Sequence, residues 1–367
     1  MADYLSVALV MIAAAFMLDA ALRTYLNTTL RFWLVQTLLF MVTALFDNYL
    51  AGRIVHYNPA LLSGVFIGTA PIEDFLYGFA LFYFAFIIWE YLHHPGTLSL
   101  KQAFLSSRPI SWINIAFVVV VAAWLTKEGL TTKAVFTTLY FTLPFNLALY
   151  GINDIYDYPS DARNPRKNSV EGGLLPPIAH RPMWLMIALL NIPFIIYVVA
   201  SGSIAAILIF LFLLFTTFAY SAPPLRLKEV PVLDSFVSAT HFVTPFVFAL
   251  AFFDTTNYPV LDIIAFVCWC MASQALGAIQ DITVDKEVKM KSVATMLGPF
   301  SSGMYSLFLY LTAVVLVLIQ GGILRVIAAA LLLLFALVTA IFMMYATEHA
   351  ARGAWKAFMW LNYGVGM

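Results

Sequence analysis

Charge is scarce in this chain of 367 residues: Asp, Glu, Lys and Arg make up only 10% of it, where an ordinary soluble domain carries about a quarter. With 63% hydrophobic residues and a mean hydropathy of +0.91, a water-soluble globular protein is excluded. The 19 basic and 19 acidic residues cancel, so no bulk charge points to nucleic acid. Cysteine is nearly absent. Cys268 and Cys270 share one apolar run without metal or disulfide spacing and read as buried packing groups. Period-two alternation over stretches of about 10 residues is also missing, which argues against a transmembrane β-barrel. No basic region precedes the first apolar segment, so that segment is expected to be a retained helix rather than a signal peptide. Solenoid repeats and low-complexity tails are lacking too.

What is present is a succession of apolar runs of about 20 residues. They predict helices at 4–22, 32–52, 74–92, 111–126, 134–152, 184–200, 203–220, 233–252, 260–279, 301–319, 325–346 and 355–367. The last is short enough to be incomplete or interfacial. The fold class expected is an all-α polytopic membrane protein of about 12 transmembrane helices. A polar stretch from His93 to Arg108 is the one candidate boundary, separating a three-helix domain at 1–100 from a bundle of about nine helices at 101–367.

Alternating spans with the N-terminus outside put most of the basic residues on one side, among them Arg23, Arg31, Arg163, Arg166, Lys167, Arg226, Lys228, Lys289 and Arg352. Only Arg53, Lys127, Lys133 and Arg325 fall on the other. The positive-inside bias therefore predicts a multi-pass protein of the cell membrane with its long polar loops in the cytoplasm.

Two of those loops carry carboxylates at helical spacing. In the first, Asn153, Asp157 and Asp161 recur at i, i+4, i+8 and share a face while the helix lasts, although Pro159 is expected to bend or end it. In the second, Asp281 and Asp285 repeat the i, i+4 spacing ahead of Lys286, Lys289 and Lys291. Two such ladders at one membrane level suit Mg²⁺, a hard cation usually bound through a few carboxylates plus substrate phosphates. Neighbouring bases can neutralise a diphosphate. A third loop, Tyr220-Ser221-Ala222-Pro223-Pro224-Leu225-Arg226-Leu227-Lys228, is stiffened by its prolines and offers Arg226 and Lys228 to the same anion.

Together these elements resemble the UbiA superfamily of intramembrane prenyltransferases over 105–367. The resemblance rests on Ser107-Arg108-Pro109, the N-D-x-x-D-x-x-x-D element at 153–161, Y-S-x-P-P-x-R-x-K at 220–228 and D-x-x-x-D at 281–285. It implies that Asn153, Asp157, Asp161, Asp281 and Asp285 hold Mg²⁺-diphosphate, and that Arg226, Lys228 and Lys289 hold the leaving group. Tyr220 would face the allylic cation, where a π-face stabilises positive charge. A cavity rich in aromatics and shielded from water would suit that cation, and 16% of the chain is Phe, Trp or Tyr. Lipid-facing aromatics would give the same figure.

The first three helices fall outside that pattern. They carry Asp19, Asp47, Glu73, Asp74 and Glu90 near or within apolar spans, where ionisable groups are expensive and tend to be functional. Phe46-Asp47-Asn48-Tyr49, Asn58-Pro59 and Pro71-Ile72-Glu73-Asp74 resemble a half-subunit of the heterodimeric integral-membrane lycopene cyclases. Adjacent carboxyls beside an apolar polyene site can retain a proton, as an acid or base for carbocation chemistry must. Favourable placement at a helix N-terminus would equally explain Glu73 and Asp74.

A cyclase-like half fused to a UbiA-like transferase implies C50 carotenoid synthesis. Dimethylallyl diphosphate would supply a C5 unit to C2 of lycopene or of a C45 intermediate, and the end group would close to a ring with Glu73 or Asp74 as acid or base. A second small cyclase subunit is the expected partner. The predicted topology sets Glu73 and Asp74 near the outer face and the aspartate loops near the inner one, about 30 Å apart, unless 60–70 re-enters the membrane or the polyene reaches between them. The N-terminal unit could instead serve assembly or acceptor binding. Two other readings compete: a UbiA-type transferase for an aromatic or quinone acceptor, and a transporter using intramembrane acids. Clustering of the carboxylates at one face beside basic loops favours diphosphate capture over transport.

Overall fold

The structure, a computed structural model, describes residues 4–51, 53, 55–93, 98–162, 172–255, 258–287 and 289–366. Arg163, Arg166 and Lys167, which contribute to the predicted orientation, lie outside the described residues. The chain divides into two compact units, Met1–Ser99 and Leu100–Met367.

The first unit consists of α1 (Tyr4–Leu22), α2 (Leu30–Leu50), a hairpin of β1 (Phe66–Ile67) and β2 (Ala70–Pro71), and α3 (Ile72–His93). Its core is an aromatic cluster in which Phe32 meets Phe79 and Tyr83. One buried acid pins the helices together. Asp19 accepts hydrogen bonds from the Tyr83 hydroxyl (2.7 Å) and the backbone N–H groups of Leu26 (3.0 Å) and Asn27 (3.2 Å), which removes the penalty of a bare buried carboxylate. The stretch before α3 is a 3₁₀ turn (Pro59–Leu61) followed by the hairpin. Gly68 holds a left-handed φ of 69° there, and a Cβ on it would lie 2.0 Å from the Asn48 side-chain oxygen, so only glycine fits this close approach.

The second unit comprises α4 (Leu100–Ser106), α5 (Pro109–Leu125), α6 (Thr132–Tyr140), α7 (Leu143–Asp161), α8 (Pro177–Ser201), α9 (Ile204–Ser221), α10 (Leu233–Phe252), α11 (Val260–Ala278), α12 (Ile282–Glu287), α13 (Val293–Leu318), α14 (Ile323–Met343) and α15 (Glu348–Gly366). A large aromatic core involves α5 to α10, with Tyr140 stacked on Phe194 at 3.8 Å. α10 is the most enclosed of the long helices.

Three departures from the sequence prediction have local causes. The helix expected at 134–152 is broken between Tyr140 and Leu143, because Pro144 cannot donate to the preceding turn. The Asn146 amide donates to the carbonyls of Phe141 (2.9 Å) and Thr142 (2.6 Å), supplying the partners that hydrocarbon cannot. Pro159, by contrast, does not end α7, which continues to Asp161. Near a C-terminus the proline removes one backbone bond from a turn whose last carbonyls have no intrahelical partners in any case. Lastly, where about 12 spans are expected, ten described helical segments, with α6–α7 and α11–α12 each counted as one, are long and apolar enough to cross a membrane, or eleven if α4 and α5, bent by 52°, count as one span. The remaining candidate, α15, is amphipathic: Glu348, Arg352 and Lys356 follow one another at four-residue spacing, while Ala351, Ala354 and Phe358 are buried.

Candidate active site

The bend between α4 and α5 positions the first functional group. Arg108 occupies it with a left-handed φ of 47°, and Pro109 then opens α5. The guanidinium lies 3.4 Å from Asp154 and 4.3 Å from the centroid of Tyr150. Asp154 is fully buried, so this is a desolvated ion pair reinforced by a cation–π contact.

One turn along α7, Asp157 forms an ion pair with Lys228 and lies 3.6 Å from Arg226. Both bases belong to a tight segment after α9. Arg226, at φ 37°, precedes a 3₁₀ turn (Leu227–Glu229) and also pairs with Glu229, while Lys228 is only 6% exposed. Burial pulls the Lys228 pKa below its ordinary value, against the opposing pull of Asp157. Asn153 donates to Ser221 Oγ at 3.1 Å, tying α7 to the end of α9. The Tyr220 hydroxyl accepts from Gln274 of α11 at 3.4 Å.

Of these groups, Arg108, Tyr150, Asn153, Tyr220 and Gln274 line a cavity with one polar end and a volume of about 710 Å³, within the usual range for small-molecule sites. Arg108, Asn153, Tyr220 and Gln274 line that end, and Phe242, Phe266, Trp269 and Phe335 line the body. Along α11 the wall runs from Gln274 to Asp262, about 18 Å at 1.5 Å per residue. Asp262 is held by Arg325 and Gln320. The arrangement offers one fixed cation, Arg108, to an anionic head and aromatic faces to a hydrocarbon body.

The predicted site residues are therefore distributed unequally. Asp157, Arg226 and Lys228 are in direct contact with one another, and Asn153 and Tyr220 line the cavity. Asp161 is buried at the end of α7. Asp281 closes a 3₁₀ turn after α11, and Asp285 lies on α12; both are half-buried, and Lys289 is exposed beyond them. Among the described residues, no three Asp, Glu, His or Cys side chains form a ready-made metal cage. The ion pair of Arg108 and Asp154 was not singled out from sequence, although both residues stand inside the motifs at 107–109 and 153–161. Gln274 and His241 carried no local signal at all.

In the first unit, Asn48, Glu73 and Asp74 are each tied to the stretch between α2 and α3. The Glu73 carboxylate, 1% exposed, accepts from the Ser63 backbone N–H at 2.5 Å. The Tyr57 hydroxyl donates to Asp74, and Thr69 N–H donates to Asn48 Oδ1 at 2.5 Å. Burial and the nearby carboxylates of Asp74 and Asp47 push the Tyr57 phenol well above its ordinary range, so it remains a donor at neutral pH.

A bundle of membrane-spanning helices around an aromatic cavity with polar groups at one end defines a class: polytopic membrane proteins with an internal small-molecule site. Residues 115–362 match the UbiA prenyltransferase family, and residues 3–92 match the lycopene cyclase family. The chain is 37% identical over 335 residues to the C(50) beta-cyclic carotenoids biosynthesis protein LbtBC of Dietzia sp. (strain CQ4), covering 78% of each chain. It is 38% identical over 271 residues to a lycopene elongase/hydratase of Corynebacterium glutamicum, covering 73% of this chain and 94% of that one. In fold it is similar to a UbiA homolog from Archaeoglobus fulgidus bound to DMAPP and Mg²⁺, with a TM-score of 0.56 and 20% identity over 72% of this chain and 98% of the other. The chain belongs to the UbiA prenyltransferase family and carries a lycopene-cyclase-family segment ahead of it. It is a multi-pass membrane protein and a lycopene-related prenyltransferase.

Proposed function

We propose that the chain is a bifunctional lycopene elongase and cyclase subunit. The domain at 101–367 transfers a C5 unit from dimethylallyl diphosphate to C2 of lycopene or of a C45 intermediate. The domain at 1–100 takes part in closing the end group, giving C50 carotenoids. The observation that carries this reading is the pairing of Asp157 with Lys228 and Arg226, one turn along α7 from Asn153 on the wall of the aromatic cavity.

The donor set fits Mg²⁺. Asn153, Asp157 and Asp161 offer hard oxygen donors on one helix, and Asp281 and Asp285 offer two more. Mg²⁺ is usually held by one or two carboxylates plus substrate phosphates and waters, so no complete protein cage is required before the diphosphate arrives. When bound, the metal would neutralise charge on the departing diphosphate. Arg226, Lys228 and Lys289 would take the remainder of that charge, and Tyr220 would flank the allylic cation. The aromatic walls keep water from it.

In the first unit, Glu73 or Asp74 serves as acid or base for cyclisation, and a second small membrane subunit supplies the other half of that site. The N-terminus lies outside the cell membrane and the aspartate-bearing turns face the cytoplasm, as the basic residues indicate.

Expression of the full chain in lycopene-producing cells is expected to yield C45 and C50 pigments; pigments that stay at C40 even with a cyclase partner supplied overturn the reading. In vesicles, chelation of Mg²⁺ is expected to lower C5 transfer by about 10²-fold or more, with recovery on re-addition, in line with the loss of charge stabilisation at a leaving group. Glu73→Gln and Asp74→Asn are expected to leave C5 transfer intact and, with the partner present, to shift the products from cyclic to acyclic C50 carotenoids by about tenfold or more, as general acid–base catalysis implies. An unchanged ring content in both variants would return the N-terminal unit to an assembly or acceptor-binding role.

A further inference from the structure

Glu73 and Asp74 are neighbours in the first turn of α3, yet the fold gives them different surroundings. Glu73 is 1% exposed, and its Oε1 accepts the Ser63 backbone N–H at 2.5 Å. It is closed off and fastened to the stretch between α2 and α3. Asp74 is half-buried, and its Oδ2 accepts the Tyr57 hydroxyl. Among the described residues, its other oxygen, Oδ1, has no hydrogen-bond partner and keeps accessible surface. Tyr57 belongs to the same stretch as Ser63, and the charge of Asp47 on α2 acts on both Tyr57 and Asp74. Of the two adjacent acids, one therefore offers a reachable oxygen and the other does not.

The Tyr57 bond also decides where a proton on Asp74 resides. A neutral carboxyl has one O–H and one carbonyl oxygen. Tyr57 remains a donor at neutral pH, so the oxygen it bonds is the carbonyl one, and the proton sits on Oδ1. The same bond restrains rotation of the carboxyl, keeping that proton in one place, as acid–base chemistry needs.

We propose that Tyr57 is a positioning residue for ring closure, holding Asp74 by Oδ2 so that Oδ1 is the atom that gives and takes the proton. Glu73 anchors the stretch that carries Tyr57. This rests on the cyclase reading of the domain at 1–100. Closing an acyclic end is an isomerisation. The Oδ1–H bond breaks, and its proton joins a terminal alkene carbon to leave a tertiary cation. The electron pair of a second alkene forms the ring carbon–carbon bond and transfers the cation to its far carbon. An adjacent C–H bond supplies the pair for the new double bond, and its proton returns to Oδ1. No atom or electron is gained or lost, and the carboxyl is regenerated.

The test uses membranes of lycopene-producing cells that express the full chain with a small cyclase subunit. Tyr57→Phe, which keeps the ring and loses the donor, is combined with Asp74→Asn and, separately, with Glu73→Gln. The readouts are the cyclic fraction of the C50 pigments, the position of the ring double bond, C5 transfer and a thermal melt. Tyr57→Phe alone is expected to lower the cyclic fraction by about tenfold, as misplacement of a catalytic group does, and to spread the ring double bond over more than one position, with C5 transfer and the melt unchanged. In the Asp74→Asn background it is expected to add nothing, because the two residues act as one unit; in the Glu73→Gln background the losses multiply. A Tyr57 effect that vanishes with Glu73→Gln instead, or that appears equally in C5 transfer and the melt, overturns the proposal, as does a native cyclic fraction in Tyr57→Phe. A further measurement needs no variant. In D₂O the native chain is expected to place one deuterium in each ring it closes, since the Oδ1 proton exchanges with water between turnovers, and rings without deuterium overturn the assignment. A native chain that closes no rings with the subunit present refutes the underlying cyclase reading instead.

Discussion

Asp157→Ala is expected to lower C5 transfer by about 10²–10³-fold or more, the range seen when one preorganised electrostatic group is removed from a charge-stabilising site. The carboxylate does two things at once. It is a proposed ligand for the metal-bound diphosphate, and it is the counter-ion that holds Lys228 and Arg226 in place. Burial already lowers the Lys228 pKa, with Asp157 opposing that shift. Removing the carboxylate therefore biases Lys228 toward its neutral form and weakens the second partner of the leaving group as well. Asp157→Asn, which keeps the shape and loses the charge, is expected to fall nearly as far. The measurement is product formed per enzyme in vesicles, beside a thermal melt of the same preparation. A melt that shifts while the rate per folded enzyme stays at the native level would assign Asp157 to structure alone.

Asp154→Ala acts on stability. Asp154 is fully buried, and its Arg108 partner keeps a quarter of its side chain open. Breaking such a pair from one side leaves a charge without its partner, at about 3–5 kcal/mol for a fully buried pair; the partial exposure of Arg108 sets the expectation at the lower end. Because Arg108 is the residue at the bend between α4 and α5, the loss also loosens the cavity wall. Arg108→Met combined with Asp154→Leu is expected to recover most of the melting temperature, since two apolar side chains of similar volume leave nothing unpaired, while C5 transfer stays low. Additive losses in the double variant would mean that the two residues act independently.

The spans and the first charged cluster were legible in the sequence for different reasons. α1 and α10 run over Tyr4–Leu22 and Leu233–Phe252, as the hydropathy predicts, because a helix crossing a hydrocarbon layer must be apolar over a fixed length. The ladder of Asn153 and Asp157 was readable because helical spacing places both on one face. Arg226 and Lys228 stood in a proline-stiffened loop whose chemistry was plain. The break at Thr142, the bend at Arg108 and the amphipathic closing helix were harder, since each depends on which carbonyls find partners and which face finds a neighbour.

By itself, the sequence determined the environment and the inventory: a hydrocarbon-spanning helical chain, a three-helix unit ahead of a larger bundle, and carboxylates and bases set at helical spacing. Composition and local periodicity suffice for that, because solvent and backbone geometry act on every residue in turn. Only the tertiary structure decided that Asp154 answers Arg108, that Lys228 of a later loop answers Asp157, and that His241 and Gln274 line one cavity. The two ion pairs join residues 46 and 71 positions apart, and no local period encodes them. They follow from the packing of α5, α7, α9, α10 and α11, which chooses the contacts that leave the fewest buried charges without a partner.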